Sequence, residues 1–318
     1  MPFSVIIPLY NKAPYVAKAI GSVLSQTFTD YELIVVDDGS KDDSAEIAAK
    51  AIEGKANCRM IRQENAGVSV ARNNGVAASQ GECLCFLDAD DWWEPAFLEE
   101  MAKFVEEYPD AGIYGTNYTI VNETKRKTRV ADIGVEEGFE KGYINYCKAY
   151  SQTMYMPLWT GAVCIPRKVF DETGGFPKGI KLGEDFLLWI RIALKYKVAF
   201  LNKPLAYYNQ DVDAANRGVH DKKYDAQSFM AFHFGQFAEE EVRNEDLKVL
   251  LDRIRVYSLL RFVKQGDCRD LVEEEISKVD FDHVERKYRF YYKAPRFVVL
   301  SYYRAMDFLS GVKTQLKR

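Results

Sequence analysis

Three carboxylates crowd into four positions at Asp88-Ala89-Asp90-Asp91, at the end of an apolar run that closes on Phe86-Leu87. Like charges this close oppose one another's ionisation unless cations or hydrogen-bond donors compensate them. Oxygen ligands at the end of a strand suit a hard divalent ion, Mn2+ or Mg2+, that also holds phosphates. The plainer alternative is a solvated turn in which Asp91 caps the next helix. A second acidic strand end, Val35-Val36-Asp37-Asp38-Gly39-Ser40, sets a carboxylate in the crevice where parallel sheets bind ligands. There Asp38 could accept hydrogen bonds from a nucleoside; otherwise the pair only shapes a turn before Ser40 caps a helix. A third apolar run ends in Pro8-Leu9-Tyr10-Asn11, offering an aromatic face and an amide. Three strand ends of this kind argue for one common site.

Between them lies Glu64-Asn65-Ala66-Gly67-Val68-Ser69-Val70-Ala71-Arg72-Asn73-Asn74-Gly75. Gly67 relaxes the approach to a helix whose first turn can face anionic groups. Arg72, one turn in, is able to fork onto phosphate or support the Asp cluster, or to serve as a structural ion pair. Neither the dinucleotide pattern GxGxxG nor the phosphate loop GxxxxGK[ST] occurs, which counts against NAD and ATP as ligands.

These residues need a frame to position them. Strands are expected at Phe3–Leu9, Glu32–Val36, Cys58–Ile61 and Glu82–Leu87, alternating with helices from Pro14, from Ser40 through Ile52, over Val68–Ala78 and from Pro95 to Tyr108. Such alternation predicts an α/β fold with a mostly parallel sheet. From Ala111 the pattern turns irregular and aromatic-rich around Ile113-Tyr114 and Leu158–Ile165, before an apolar helix from Asp185 to Tyr196 and a late strand at Val198–Leu201. Beyond Arg217 the chain reads as helix, with Leu247, Leu250, Leu251, Ile254, Leu259, Leu260 and Val263 as core positions. The boundary is therefore set at 216/217.

Composition narrows the class. Against 47 acidic residues there are 43 basic ones, so the chain lacks the basic excess of a nucleic-acid binder. No run reaches the ~18 apolar residues of a spanning helix. Six cysteines without CxxC pairing read as reduced thiols, and the chain opens without a secretion signal, so a cytoplasmic setting is expected.

In order along the chain, Val5-Ile6-Ile7-Pro8-Leu9-Tyr10-Asn11, Val35-Val36-Asp37-Asp38-Gly39-Ser40, Asn65-Ala66-Gly67 with Ala71-Arg72-Asn73, Phe86-Leu87-Asp88-Ala89-Asp90-Asp91, Gly174-Gly175-Phe176, and Gly183-Glu184-Asp185 with Trp189 and Arg191 resemble a family 2 glycosyltransferase of the GT-A fold. The resemblance covers residues 3–210. It implies a GT-A catalytic domain over 1–216, with a nucleotide-binding half of about 1–110 and an acceptor half of about 111–216, followed by a helical region, 217–318. It implies that Pro8, Tyr10, Asn11, Asp38, Arg72, Asp88 and Ala89 bind the nucleotide sugar, that Asp90 and Asp88 hold the metal, and that Asp185, with Glu184 beside it, is the catalytic base. Capping of its own helix is the alternative for Asp185. Many relatives carry a histidine soon after an aromatic pair; here Tyr207-Tyr208-Asn209-Gln210-Asp211 stands instead. Asp211 is the oxygen ligand that could take its place, unless it is a loop residue, and Arg217 and His220 are further candidates from the same loop. The Gln-x-x-Arg-Trp motif of processive synthases is absent, so one sugar is expected per encounter.

The implied activity is inverting, metal-dependent transfer of a sugar, UDP-linked by expectation, to a glycan or lipid-linked glycan in bacterial cell-surface polysaccharide synthesis. A nucleotidyltransferase and a non-catalytic nucleotide-sugar-binding protein are the alternatives. Residues 285–318 hold nine Lys/Arg against two acids, interleaved with Tyr and Phe. That segment suits either the inner face of the cytoplasmic membrane or packing as a helix on the catalytic domain. Partners considered are therefore donor, acceptor, membrane and a second copy of the chain, with no nucleic acid.

Overall fold

Every residue of β1 (Phe3–Leu9) except Pro8 is buried, as befits a central parallel strand covered on both faces. The computed structural model describes residues 2–122, 124–212, 225–295, 297–299 and 301–302. They belong to two units, Met1–Tyr224 and Asp225–Arg318. In the first, β1 is followed by α1 (Val16–Leu24), β2 (Tyr31–Asp37), α2 (Ser44–Ile52), β3 (Cys58–Arg62), α3 (Val68–Ala78), β4 (Cys83–Phe86), β5 (Trp92–Trp93) and α4 (Phe97–Glu107). Then come β6 (Ala111–Asn122), β7 (Lys127–Val130), β8 (Lys141–Ile144), α5 (Tyr146–Thr153), β9 (Val163–Pro166), α6 (Arg167–Glu172), α7 (Glu184–Ala193) and β10 (Lys197–Asn209).

The main path of the sheet runs β3-β2-β1-β4-β9-β6-β10-β5, with β7 on β6 and β8 on β10. The first four strands are mutually parallel, so the residues that follow Leu9, Asp37, Arg62 and Phe86 emerge along one edge. Strand β9 runs antiparallel between β4 and β6, and β6 and β10 are parallel again. The mostly parallel α/β architecture matches expectation. Helix α3 lies close on β1: a Cβ at Gly75 would stand 2.5 Å from Ile6 Cγ2, so only glycine admits this approach.

Several elements differ from the sequence reading. Residues around Ile113-Tyr114 form a twelve-residue strand, β6, whose nearly uniform burial erases the alternation that marks a strand. β10 continues well past Leu201, because the register shifts around Pro204 absorb the missing N–H in a bulge. Ser40 does not cap α2. Its hydroxyl accepts from Asn11 N at 3.2 Å, and the helix begins four residues later. Leu158–Ile165 holds a short 3-10 turn, Thr160–Ala162, leading into β9. All six cysteines are free thiols, and Cys58 and Cys268 are only partly buried.

The second unit contains α8 (Ala238–Arg243), α9 (Glu245–Ser258), α10 (Leu260–Gln265), α11 (Arg269–Ser277) and α12 (Arg286–Lys293), preceded by 3-10 turns over Ala226–Phe237. Leu247, Leu250, Leu251, Ile254 and Leu259 are buried as expected, but Phe262 takes the core place expected of Leu260 and Val263. The boundary expected at 216/217 falls among 213–224, outside the described residues.

Candidate active site

The three carboxylates after β4 are kept apart by giving each its own partner. Asp88 Oδ1 lies 2.8 Å from Arg72 Nη2, and Asp90 is ion-paired with Lys12. Asp91 accepts from the backbone N–H of Asn209 at 2.9 Å and from the Trp159 indole at 3.2 Å. Burial raises the Asp90 carboxyl above its usual range, with Lys12 opposing and Asp88 adding to the rise. Asp91 is pushed well above its usual range by burial and then by the charges of Asp90 and Asp88. It caps no helix; it fastens the Asp turn to the end of β10. Ala89 is buried in the core.

Arg72 joins the Asp turn to the start of α7. From α3 it reaches Asp88 with one nitrogen and Glu184 Oε1 with the other, at 2.9 Å, while its guanidinium lies 5.0 Å from the Phe176 ring centre. Burial works against that charge, but Asp88 and Glu184 outweigh it and raise the pKa. Phe176 is itself fixed by Asn73, whose amide donates to its carbonyl at 2.8 Å and accepts from its N–H at 3.0 Å. Arg191 holds the preceding turn through the carbonyls of Thr173 and Gly175, at 2.7 and 2.9 Å. The Gly-Gly-Phe and Trp-x-Arg pieces are thus braces behind Arg72. Replacing Arg72 by Met strands Glu184 and Asp88 without their cation. A loss of about 3–5 kcal/mol is expected, read as a lowered urea midpoint at unchanged slope.

Asp185 stands in the first turn of α7, after Gly183 with φ +84. Its Oδ2 accepts from the Thr160 hydroxyl at 2.9 Å, and its Oδ1 from the N–H of Phe186 at 2.7 Å. Burial is the main influence raising its pKa, with Arg72 opposing. Glu184 is pushed up to about 7 by burial and then by the Asp185 charge, again against Arg72. Two adjacent carboxylates coupled this way titrate as a unit.

At the β1–β2 edge, Tyr10 is 40% exposed and Asn11 takes φ +49, its Oδ1 accepting from Lys41 N at 2.8 Å. Pro8 is partly buried beside them. Asp38 is already engaged. It accepts from Gln63 Nε2 and Ala66 N at 2.8 Å each, and from Gly67 N at 2.9 Å. The anion at the approach to α3 is therefore Asp38 itself, and its carboxylate shapes the loop over residues 63–67.

Asp211 does not join Asp88 and Asp90 in the structure. Both of its oxygens accept from Thr124 N, at 3.2 and 3.3 Å, closing the turn between β6 and β7. Among the described residues no three His, Cys, Asp or Glu converge on a metal position. Arg217 and His220 lie outside the described residues. Two carboxylates at the parallel edge still fit Mn2+ or Mg2+, which is commonly held by one or two carboxylates together with substrate phosphates. Lys12, Gln63, Trp159 and Thr160 were missed in the sequence. Trp159 and Thr160 sit in a segment without periodicity, and nothing short of topology pairs Lys12 with Asp90.

The mostly parallel sheet flanked by helices, with its acidic turn tied to α7 through Arg72, is a fold of the GT-A type. The Glycosyl transferase family 2 description matches residues 4–172, over half the chain, and the chain belongs to that family. GlyA of Streptococcus pneumoniae serotype 4 is 34% identical over 212 residues, 64% of this chain and 30% of GlyA. An uncharacterized glycosyltransferase of Rickettsia felis is 34% identical over 204 residues, 64% of this chain and 32% of its own. The chain thus spans about a third of the length of these curated relatives. GlyG of S. pneumoniae is similar over more of its length, 26% identical across 82% of this chain and 87% of GlyG. Among solved structures, S. aureus TarS 1–349 in complex with UDP-GlcNAc superposes with a TM-score of 0.75 at 20% identity, over 96% of this chain and 92% of that one. That likeness bears out the expected fold.

Proposed function

We propose that the chain transfers a sugar from a UDP-linked donor, with inversion, to a hydroxyl of a glycan or lipid-linked glycan. The observation that carries this reading is the Asp88–Arg72–Glu184 bridge, which ties the Asp turn to the start of α7, where Asp185 stands. TarS, of the same fold, was crystallised with UDP-GlcNAc and with UDP, which supports a uridine donor here. In this reading Pro8, Tyr10, Asn11 and the Asp38-braced loop receive the nucleoside, and Asp88 meets the ribose. Asp90 and Asp88 would hold Mn2+ or Mg2+, which when bound supplies positive charge to the departing diphosphate. Asp185, kept as an acceptor by the Thr160 hydroxyl, takes the proton of the attacking hydroxyl as the new bond forms opposite the leaving group. Arg72 holds Asp88 and Glu184 in place while charge shifts across the cleft. The test is a panel of nucleotide sugars with Mn2+, reading release of nucleoside diphosphate with and without glycan acceptors; no release from any donor removes the reading.

The second unit offers a surface for anionic lipid. Among the described residues no helix is long and apolar enough to cross a membrane, but α12 exposes Arg286, Lys287, Arg289 and Lys293. Nearby in sequence, Phe290 is 43% and Phe297 71% exposed. Replacing Lys287, Arg289 and Lys293 by Gln is expected to weaken binding to phosphatidylserine vesicles by about a hundredfold, at roughly 1 kcal/mol per basic residue. Unchanged co-sedimentation refutes a membrane role and leaves transfer to a soluble glycan. Residues 303–318 of this segment lie outside the described ones.

A further inference from the structure

Of the cations facing the Asp turn, Arg72 is fixed by carboxylates from two elements and by an aromatic ring, whereas Lys12 reaches Asp90 on a flexible four-carbon stem. Its backbone is anchored independently of that contact. Lys12 N donates to Ser44 Oγ at 2.7 Å, and its carbonyl accepts from Tyr15 N and Val16 N at 2.9 and 3.0 Å. The ammonium can therefore change partner while the main chain stays put. The side chains of Lys12 and Asp90 are only 15% and 18% exposed, so a carboxylate at Asp90 is costly without a positive charge beside it. A divalent cation on the same carboxylate meets the Lys12 ammonium as a like charge, and the two compete.

We propose that Lys12 is an exchangeable counter-charge: it neutralises Asp90 before the donor arrives and moves onto the diphosphate oxygens when the divalent cation takes Asp90. This rests on the site reading above. It makes metal and nucleotide reciprocally coupled, because each removes an obstacle to the other. Mn2+ alone binds weakly, UDP alone binds through Lys12, and each strengthens the other by the same factor.

The test uses the whole 318-residue chain, with Mn2+ binding followed by electron paramagnetic resonance and UDP binding by calorimetry. Lys12→Met is expected to bind Mn2+ alone about tenfold more tightly and UDP alone about tenfold more weakly, the scale of one charge-assisted hydrogen bond. Lys12→Arg, which keeps the charge, should recover the UDP affinity, and near-UV circular dichroism of both variants checks the fold. Unchanged UDP affinity in a folded Lys12→Met overturns the proposal and leaves a structural ion pair, as does weaker Mn2+ binding. Wild-type protein that binds no UDP with or without Mn2+ instead removes the site reading itself, so the two failures are distinguishable.

Discussion

Asp185→Asn is expected to keep nucleotide affinity within about twofold while transfer falls by about a thousandfold, the scale of a lost general base. The amide is isosteric. Its oxygen can still accept from Phe186 N, its NH2 can donate to the Thr160 hydroxyl, and the Arg72–Glu184 pair is untouched. What it cannot do is take a proton. Wild-type activity should also rise with pH as Asp185 ionises. Because burial raises this carboxyl, that acid limb is expected above the ordinary range of aspartate and should vanish from the residual rate of the variant. Calorimetry with UDP and a product assay across pH check both parts. A variant that transfers within tenfold of wild type removes Asp185 as the base.

Asp90→Ala is expected to abolish the Mn2+-dependent gain in UDP affinity, a loss of at least about a hundredfold in saturating metal. The electrostatics make the expectation specific. Deleting the carboxylate removes the negative charge that Lys12 neutralises in the structure, so metal-free UDP binding should be kept or strengthened. Asp211→Ala serves as the contrast, because its carboxylate serves the Thr124 turn and nucleotide affinity should not depend on it. Undiminished UDP affinity of Asp90→Ala in Mn2+ refutes its assignment as metal ligand.

The readable parts of this chain are those where local pattern and fold agree. β1 and α3 were legible to the residue, because buried parallel strands are short apolar runs closed by Asp, Asn or Gly. The Asp88-Ala89-Asp90-Asp91 turn was legible for the opposite reason, since adjacent carboxylates after a core strand conflict with stability and need a purpose. β6 was not legible: buried on both faces, it shows no period of two. The far half of β10 was hidden by Pro204. The partners of the acidic groups were beyond reach, as Lys12 and Asp90 are 78 residues apart and meet only because β1 pairs with β4. Arg72 on α3 and Glu184 at the start of α7 are 112 apart, and no local pattern joins them. Sequence alone leaves open whether Arg72 forks onto phosphate, supports the Asp cluster or is a structural ion pair; in the structure it pairs with Asp88 and Glu184.

The β7–α5 excursion carries a strand exposed at all four of its residues, Lys127–Val130, and contributes nothing to the Asp88–Arg72–Glu184 bridge. Only the exposed β7 turn is therefore free to vary in length: β8 is paired with β10, and α5 sets the Tyr150 ring 5.9 Å from that of Phe186, the neighbour of Asp185.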